Sequence, residues 1–156
     1  MAEPRDLAAE VQRLLGPRSL VGERVVVNAG GTREPIDVVR AITNRSSGRM
    51  GFAVAAEAAR RGADVVLVSA PSSLPTPAGV ERVEVETALE MHEAVQREFQ
   101  AAGIAVLCAA VADFRPAHPA ARKIKKEDLP AGAGLSLELV LVLRVVVVST
   151  IKGWRK

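Results

Sequence analysis

Three groups of residues in this chain could do chemistry. The first lies between Asn28 and Gly51, where the chain reads NAGGTREPIDVVRAITNRSSGRMG. It holds two glycine-containing turns, Ala29-Gly30-Gly31-Thr32 and Ser46-Ser47-Gly48, with Thr32, Arg33, Asn44 and Arg49 close by. An apolar run, Val25 to Val27, precedes the stretch, and a small-residue amphipathic run, Phe52 to Arg61, follows it. A strand, a polar glycine loop and a helix N-terminus together form a phosphate cradle. The loop amides and first helical N–H groups converge, and the helix dipole adds partial positive charge. The second candidate is Asn44, whose neutral amide offers both donors and an acceptor. It can hold a carboxylate or a developing oxyanion, or it can make a local Asx turn before the serines. The third group joins Asp113 to Lys123, Lys125 and Lys126. A carboxylate just past a strand end can hold Mg²⁺ within a metal–triphosphate complex. Nearby lysines can neutralise a phosphate under substitution, or they can be a solvated charge run. His92 and His118 stand alone, without triad or zinc spacing, and His92 is expected on a helix surface.

The elements that must position these residues follow from periodicity and punctuation. Leu7, Val11, Leu14 and Leu15 predict a helix over residues 5 to 15, between Pro4 and Gly16. Residues 1–20 read as a leading helix and linker, and 21–156 as one domain. Arg24 to Ala29 is the first strand. Within the long loop, Asp37 to Ile42 is read as one or two helical turns. A helix follows from about Gly48 to Arg61, and Gly62 stops it. Ala63 to Ser69 is a near-continuous apolar run, as in a parallel strand buried on both faces. Ala70 to Gly79 is a Pro/Ser-rich loop, and Arg82 to Glu86 a short strand. Thr87 with Glu90 gives a capping-box pattern opening a helix to about Ala102. Ile104 to Ala110 is another buried strand, and Val111 to Pro119 a loop. Leu135 to Leu141 and Leu143 to Ser149 are further strand candidates. Strands alternating with helices imply right-handed crossovers and a doubly wound parallel α/β sheet. Ligands then lie outside the carboxyl ends of the strands. That places the loops after Ala29, Ser69 and Ala110 on one edge.

Composition narrows the function classes. At 49% hydrophobic and 3% aromatic, the core must be mostly Ala, Val and Leu. A net charge of +3 fits an anionic small ligand. There is no Tyr and no basic run interleaved with aromatics, which argues against nucleic acid. No stretch reaches the length of a membrane span, and the longest apolar run, Leu135 to Val148, is broken by Ser136, Glu138 and Arg144. The single Cys108 cannot form an internal disulfide, matching a reducing cytoplasm.

Four stretches taken together resemble a known family. NAGGTREPIDVVRAITNRSSGRMG, PSSLPTP, CAAVADFRP and KIKK, in this order and spacing, are similar to phosphopantothenoylcysteine synthetase. The match runs from about Leu20 to Val140. The resemblance implies a Rossmann-like, doubly wound, mostly parallel sheet in a three-layer αβα arrangement. It also implies a ligase of coenzyme A biosynthesis, with CTP as co-substrate and Mg²⁺. The carboxylate of 4′-phosphopantothenate attacks the α-phosphate, giving an acyl-cytidylate and pyrophosphate, and the cysteine amine then displaces CMP. Carried over by motif, Asn44 is the asparagine contacting the pantothenate, and Lys123 the lysine needed for the intermediate. Leu107, Cys108 and Ala109 line the nucleotide site, and Asp113 is its aspartate and metal ligand. Gly30, Ser46, Ser47 and Gly48 approach phosphate. Cys108 is expected to pack rather than to act as a nucleophile. The resemblance further implies a homodimer. The leading helix resembles the connector that follows a phosphopantothenoylcysteine decarboxylase in fused enzymes; FMN would belong to that domain.

After Val140 the chain reads LVLRVVVVSTIKGWRK and departs from the family pattern. The expected Pro-Asp-Ile segment and later lysines are missing, so this part is read as truncated or altered. Val145 to Val148 either replaces a lost strand or leaves an exposed apolar edge. One alternative is therefore a catalytically incomplete fragment that binds nucleotide or phosphopantothenate. An NAD(P)-binding oxidoreductase is a further alternative by fold analogy, against which stands the missing G-x-G-x-x-G turn.

Overall fold

The computed structural model describes residues 3–125, 127, 134–140 and 147–149. Its centre is a 5-stranded sheet in the order β5-β4-β1-β6-β9. The strands are β1 (Arg24–Ala29), β4 (Asp64–Ser69), β5 (Val80–Glu84), β6 (Ile104–Leu107) and β9 (Val147–Ser149). The first four run parallel, with Val27 opposite Leu67 on one side and Val106 on the other. β9 closes the edge antiparallel to β6, so this part of the apolar tail pairs as a strand. Val145 and Val146 lie outside the described residues.

Alternation along the strands sorts side chains onto two faces. Val25, Val27, Ala29, Val65 and Leu67 pack beneath α2 (Arg49–Arg60) through Phe52, Ala55, Ala58 and Ala59. Val26, Val66, Val68, Ala105 and Leu107 pack beneath α3 (Ala88–Phe99) through Met91, Ala94 and Val95. The result is a three-layer α/β arrangement whose core is aliphatic, as the scarcity of aromatics requires. Small residues let α2 lie close: a Cβ on Gly51 would stand 2.5 Å from the Ala29 Cβ and 2.8 Å from the Asn28 carbonyl oxygen. α1 (Pro4–Leu15) touches α2 but leaves Leu7, Val11 and Leu14 mostly exposed.

Two small ribbons stand beside the sheet. β2 (Arg33–Pro35) and β3 (Ala41–Thr43) form an antiparallel hairpin. The expected helical turns over Asp37 to Ile42 are therefore a hairpin tip and strand instead. The cause is local. The Asp37 carboxylate accepts from the Val39 and Arg40 amides at 2.8 and 2.9 Å, folding residues 37–40 into an Asx-type turn. β7 (Phe114–Pro116) pairs antiparallel with β8 (Leu137–Leu139), so the expected loop from Val111 to Pro119 contains a strand. The strand expected at Leu135 to Leu141 is shorter and lies outside the main sheet. The other strands and helices fall within a few residues of their expected ends, except that β6 stops at Leu107 rather than Ala110; of the strand expected at Leu143 to Ser149, residues 147–149 are a strand and 143–146 lie outside the described residues.

Candidate functional site

The strand order places a switch point between β1 and β6. From β1 the chain crosses to β4 on one side, and it later returns to β6 on the other. The crevice at such a point, outside the carboxyl ends of the strands, is where doubly wound sheets bind ligands. Two loops meet there, and backbone bonds stitch them together. The Ala110 N–H donates to the Gly30 carbonyl at 2.8 Å, and Thr32 N–H donates to the Ala110 carbonyl at 3.3 Å. The fully buried Thr32 hydroxyl accepts from the Ala112 N–H at 2.9 Å. The loop after β4 joins through Ser72, whose hydroxyl donates to the Ser47 carbonyl at 3.4 Å.

Asn28, one residue before the end of β1, is a polar residue inside an apolar strand. Its Oδ1 accepts from the Cys108 and Ala109 amides at 2.7 and 2.9 Å, which fixes the end of β6. The two glycine turns abut. Gly30 and Gly48 both have positive φ, 90° and 76°, and a Cβ on Gly48 would lie 3.3 Å from the Gly30 nitrogen. Only glycine allows this approach without strain. Gly48 is also the N-cap of α2, which has no side-chain cap and no acidic residue in its first turn. The N-terminus of α3 is the opposite case, closed by reciprocal Thr87 and Glu90 bonds. The open positive end of α2 thus faces the two loops, and an anion is the group it would accept.

Comparison with known proteins identifies the family of the chain. The family model described as "DNA/pantothenate metabolism flavoprotein C-terminal domain" matches residues 20–147. The chain belongs to this family. It is 55% identical over 126 residues to "Coenzyme A biosynthesis bifunctional protein CoaBC" of Vibrio cholerae, covering 81% of this chain and 32% of that protein. It is 56% identical over 116 residues to the protein of the same name from Escherichia coli K12, covering 74% and 28%. The chain thus spans about a third of the length of the curated relatives it matches. A crystal structure of the C-terminal domain of a CoaBC protein has a TM-score of 0.67 and 40% identity, covering 80% of this chain and 57% of that one.

Within this flavoprotein C-terminal domain, the sequence-derived site residues fall as follows. Gly30, Ser46, Ser47 and Gly48 gather at the α2 N-terminus, where the serine hydroxyls accept weakly from the Gly48 and Arg49 amides at 3.4 and 3.5 Å. Leu107, Cys108 and Ala109 form the β6 end beside Asn28. The Cys108 thiol donates to the Asn28 carbonyl at 3.0 Å, and burial pushes its pKa up, which opposes a nucleophilic role. Asn44 differs from one expectation. Its Nδ2 donates to the Ala110 and Val111 carbonyls at 3.3 and 2.9 Å. Both donors are spent on the β6 loop, so Asn44 can offer a ligand only its Oδ1 acceptor. It is placed as a loop tie and an acceptor, not as a donor to an oxyanion.

Asp113 is exposed, and its carbonyl accepts from Val140 at 2.7 Å beside the β7–β8 ribbon. No cluster of three or more metal-binding side chains occurs among the described residues. A single exposed carboxylate fits a divalent ion that arrives already held by a triphosphate. Lys123 and Lys125 are exposed, and Lys126 lies outside the described residues. His92 is half-buried on α3 rather than on the helix surface, with a buried Nδ1 that lacks a partner among the described residues. An apolar groove of about 470 Å³, lined by Leu20, Val25, Val54, Ile104 and Val106, lies on the α2 face of the sheet. Its lining suits packing rather than an anion. Sequence reading missed Asn28 and Asp37 as organisers, and took Thr32 as a ligand donor where its hydroxyl instead ties the two loops. The signal was available in each case: a polar residue inside or bordering an apolar strand, or an Asp two residues before a turn.

Proposed function

We propose that this domain joins 4′-phosphopantothenate to cysteine through an acyl-cytidylate, using CTP and Mg²⁺. The observation that carries the reading is the stitched pair of loops at the β1–β6 switch point, facing an uncapped α2 N-terminus, in a chain of this family. The relatives are named for coenzyme A biosynthesis, which supports the substrate class. The two loops and the helix end supply backbone N–H groups for phosphate oxygens. Asn44 accepts a hydrogen bond from an N–H or O–H of the pantothenate portion. Lys123 neutralises charge that gathers on the phosphate as the substrate carboxylate attacks. Asp113 holds Mg²⁺ together with the triphosphate, and the ion supplies charge stabilisation there. Leu107, Cys108 and Ala109 form the wall on which the nucleotide lies.

Two assembly statements belong to the same reading. Phe114, Leu137 and Leu139 are each about half exposed on the β7–β8 ribbon, which supports a homodimer built on it. The exposed face of α1 supports contact with a preceding FMN-dependent decarboxylase domain in the whole protein. The reading carries a cytoplasmic location, and no helix among the described residues is long and apolar enough to cross a membrane. The test is product detection by mass spectrometry after incubation with 4′-phosphopantothenate, cysteine, Mg²⁺ and either CTP or ATP. Formation of phosphopantothenoylcysteine with CTP supports the reading, and its absence with both nucleotides from folded protein contradicts it.

A further inference from the structure

Asp37 is a fully buried carboxylate that the reaction outlined above does not use. Its two oxygens do different work. Oδ1 accepts from the Val39 and Arg40 amides and makes the turn at the tip of the β2–β3 hairpin. Oδ2 takes no part in the turn's backbone bonds. It accepts from the Arg40 side chain, with Nε at 3.0 Å, and from the Ile124 N–H at 3.0 Å. Arg40 Nη2 in turn donates to the Ile124 carbonyl at 2.8 Å. Both polar groups of Ile124 are therefore held by the Asp37–Arg40 pair. A third bond, Ala120 N–H to the Ile36 carbonyl at 2.9 Å, fastens the same segment four residues earlier. Lys123 lies between these two fastenings, and its own side chain is exposed.

We propose that Asp37 is a positioning residue: it holds the Ile124 peptide, and through it sets where Lys123 projects. A turn alone needs only Oδ1, so the second oxygen and the Arg40 fork call for another account. A long flexible amine can be placed only through its backbone, and about 1 Å of misplacement can cost roughly a hundredfold in rate. The Arg40 guanidinium and the Ile124 N–H hold the Asp37 carboxyl well below the usual carboxylate range, so the clamp stays charged at neutral pH. The link to rate rests on the ligase reading, whereas the clamp itself does not.

The test uses Asp37→Asn in the full chain. Asn keeps an oxygen for the Val39 and Arg40 amides but turns an NH₂ toward Arg40 and the Ile124 N–H. The expected result is roughly tenfold or faster amide exchange at Ile124, with exchange at Val39 and Arg40 nearly unchanged and the chain, though lower in melting temperature, still folded under assay conditions. Phosphopantothenate-dependent pyrophosphate release, measured in a cycle with Lys123→Ala, should fall roughly tenfold or more when Lys123 is present and less than about twofold when it is absent. Arg40→Met, which spares the Asp37 turn, should give the same pattern at smaller size. Unchanged exchange at Ile124 overturns the clamp, and equal losses in both Lys123 backgrounds overturn its action through that lysine. If the unaltered chain releases no pyrophosphate, the ligase reading fails while Ile124 exchange still decides the clamp.

Discussion

At the residue scale, the candidate site depends on side-chain amides used as fasteners. Asn28 satisfies two backbone donors at the end of β6. Replacing it with Leu keeps the branching but leaves both amides unpaired, at about 1–3 kcal/mol each. Asn28→Leu should therefore lower stability by several kcal/mol in denaturant melts, while Asn28→Asp, which retains the acceptor, should cost much less. Asn44 makes the opposite demand, because it donates to two carbonyls. Asn44→Asp would aim a carboxylate at those oxygens. It should speed amide exchange at Ala110 and Ala112 more than Asn44→Ala does, since alanine loses the bonds without adding repulsion. Sequence alone could name Asn44 and list its donors and acceptor. It could not say which atoms were already taken, because both partners lie more than sixty residues away.

At the scale of elements, α2 and the β2–β3 hairpin show where local rules win and where they fail. Gly48 and Gly51 let α2 approach β1, and the sequence signalled this through its run of small residues. Gly51→Ala would press a methyl onto Ala29 and the Asn28 carbonyl. An overpacking loss of about 1–3 kcal/mol is expected, read as a lowered melting temperature. The capping box at Thr87 was legible because it is wholly local, and Thr87→Ala should cost about 1 kcal/mol. The hairpin tip was misread as helical turns. The Asx turn that makes the tip is local and was open to reading from Asp37, whereas the hold of Asp37 and Arg40 on Ile124, more than eighty residues away, is what periodicity cannot reveal. The β7–β8 ribbon was hidden for a similar reason, since its strands are three residues each and pair across a long separation.

For the whole molecule, the sheet order was legible as a class, because apolar runs alternating with helices admit few arrangements. The switch point between β1 and β6 needed the structure. Acid sensitivity belongs at this scale too. Arg60 and Arg61 pull the Glu57 carboxyl down to about 2 from 4.5, so its stabilisation is present above about pH 4.5 and lost as pH falls toward 2. Asp37 shifts in the same direction. The melting temperature should fall over that window, and Glu57→Gln should flatten the fall. If the β7–β8 ribbon forms the dimer contact, Leu139→Glu should shift the protein from dimer to monomer in light scattering without unfolding it. The central claim is carboxylate activation at the switch point. Its most direct test is pyrophosphate release with Mg²⁺ and CTP, with and without 4′-phosphopantothenate, before any cysteine is added. Release that requires phosphopantothenate, proceeds without cysteine and is largely lost in Lys123→Ala is the predicted result. No release from folded protein, or release indifferent to phosphopantothenate, would contradict the account.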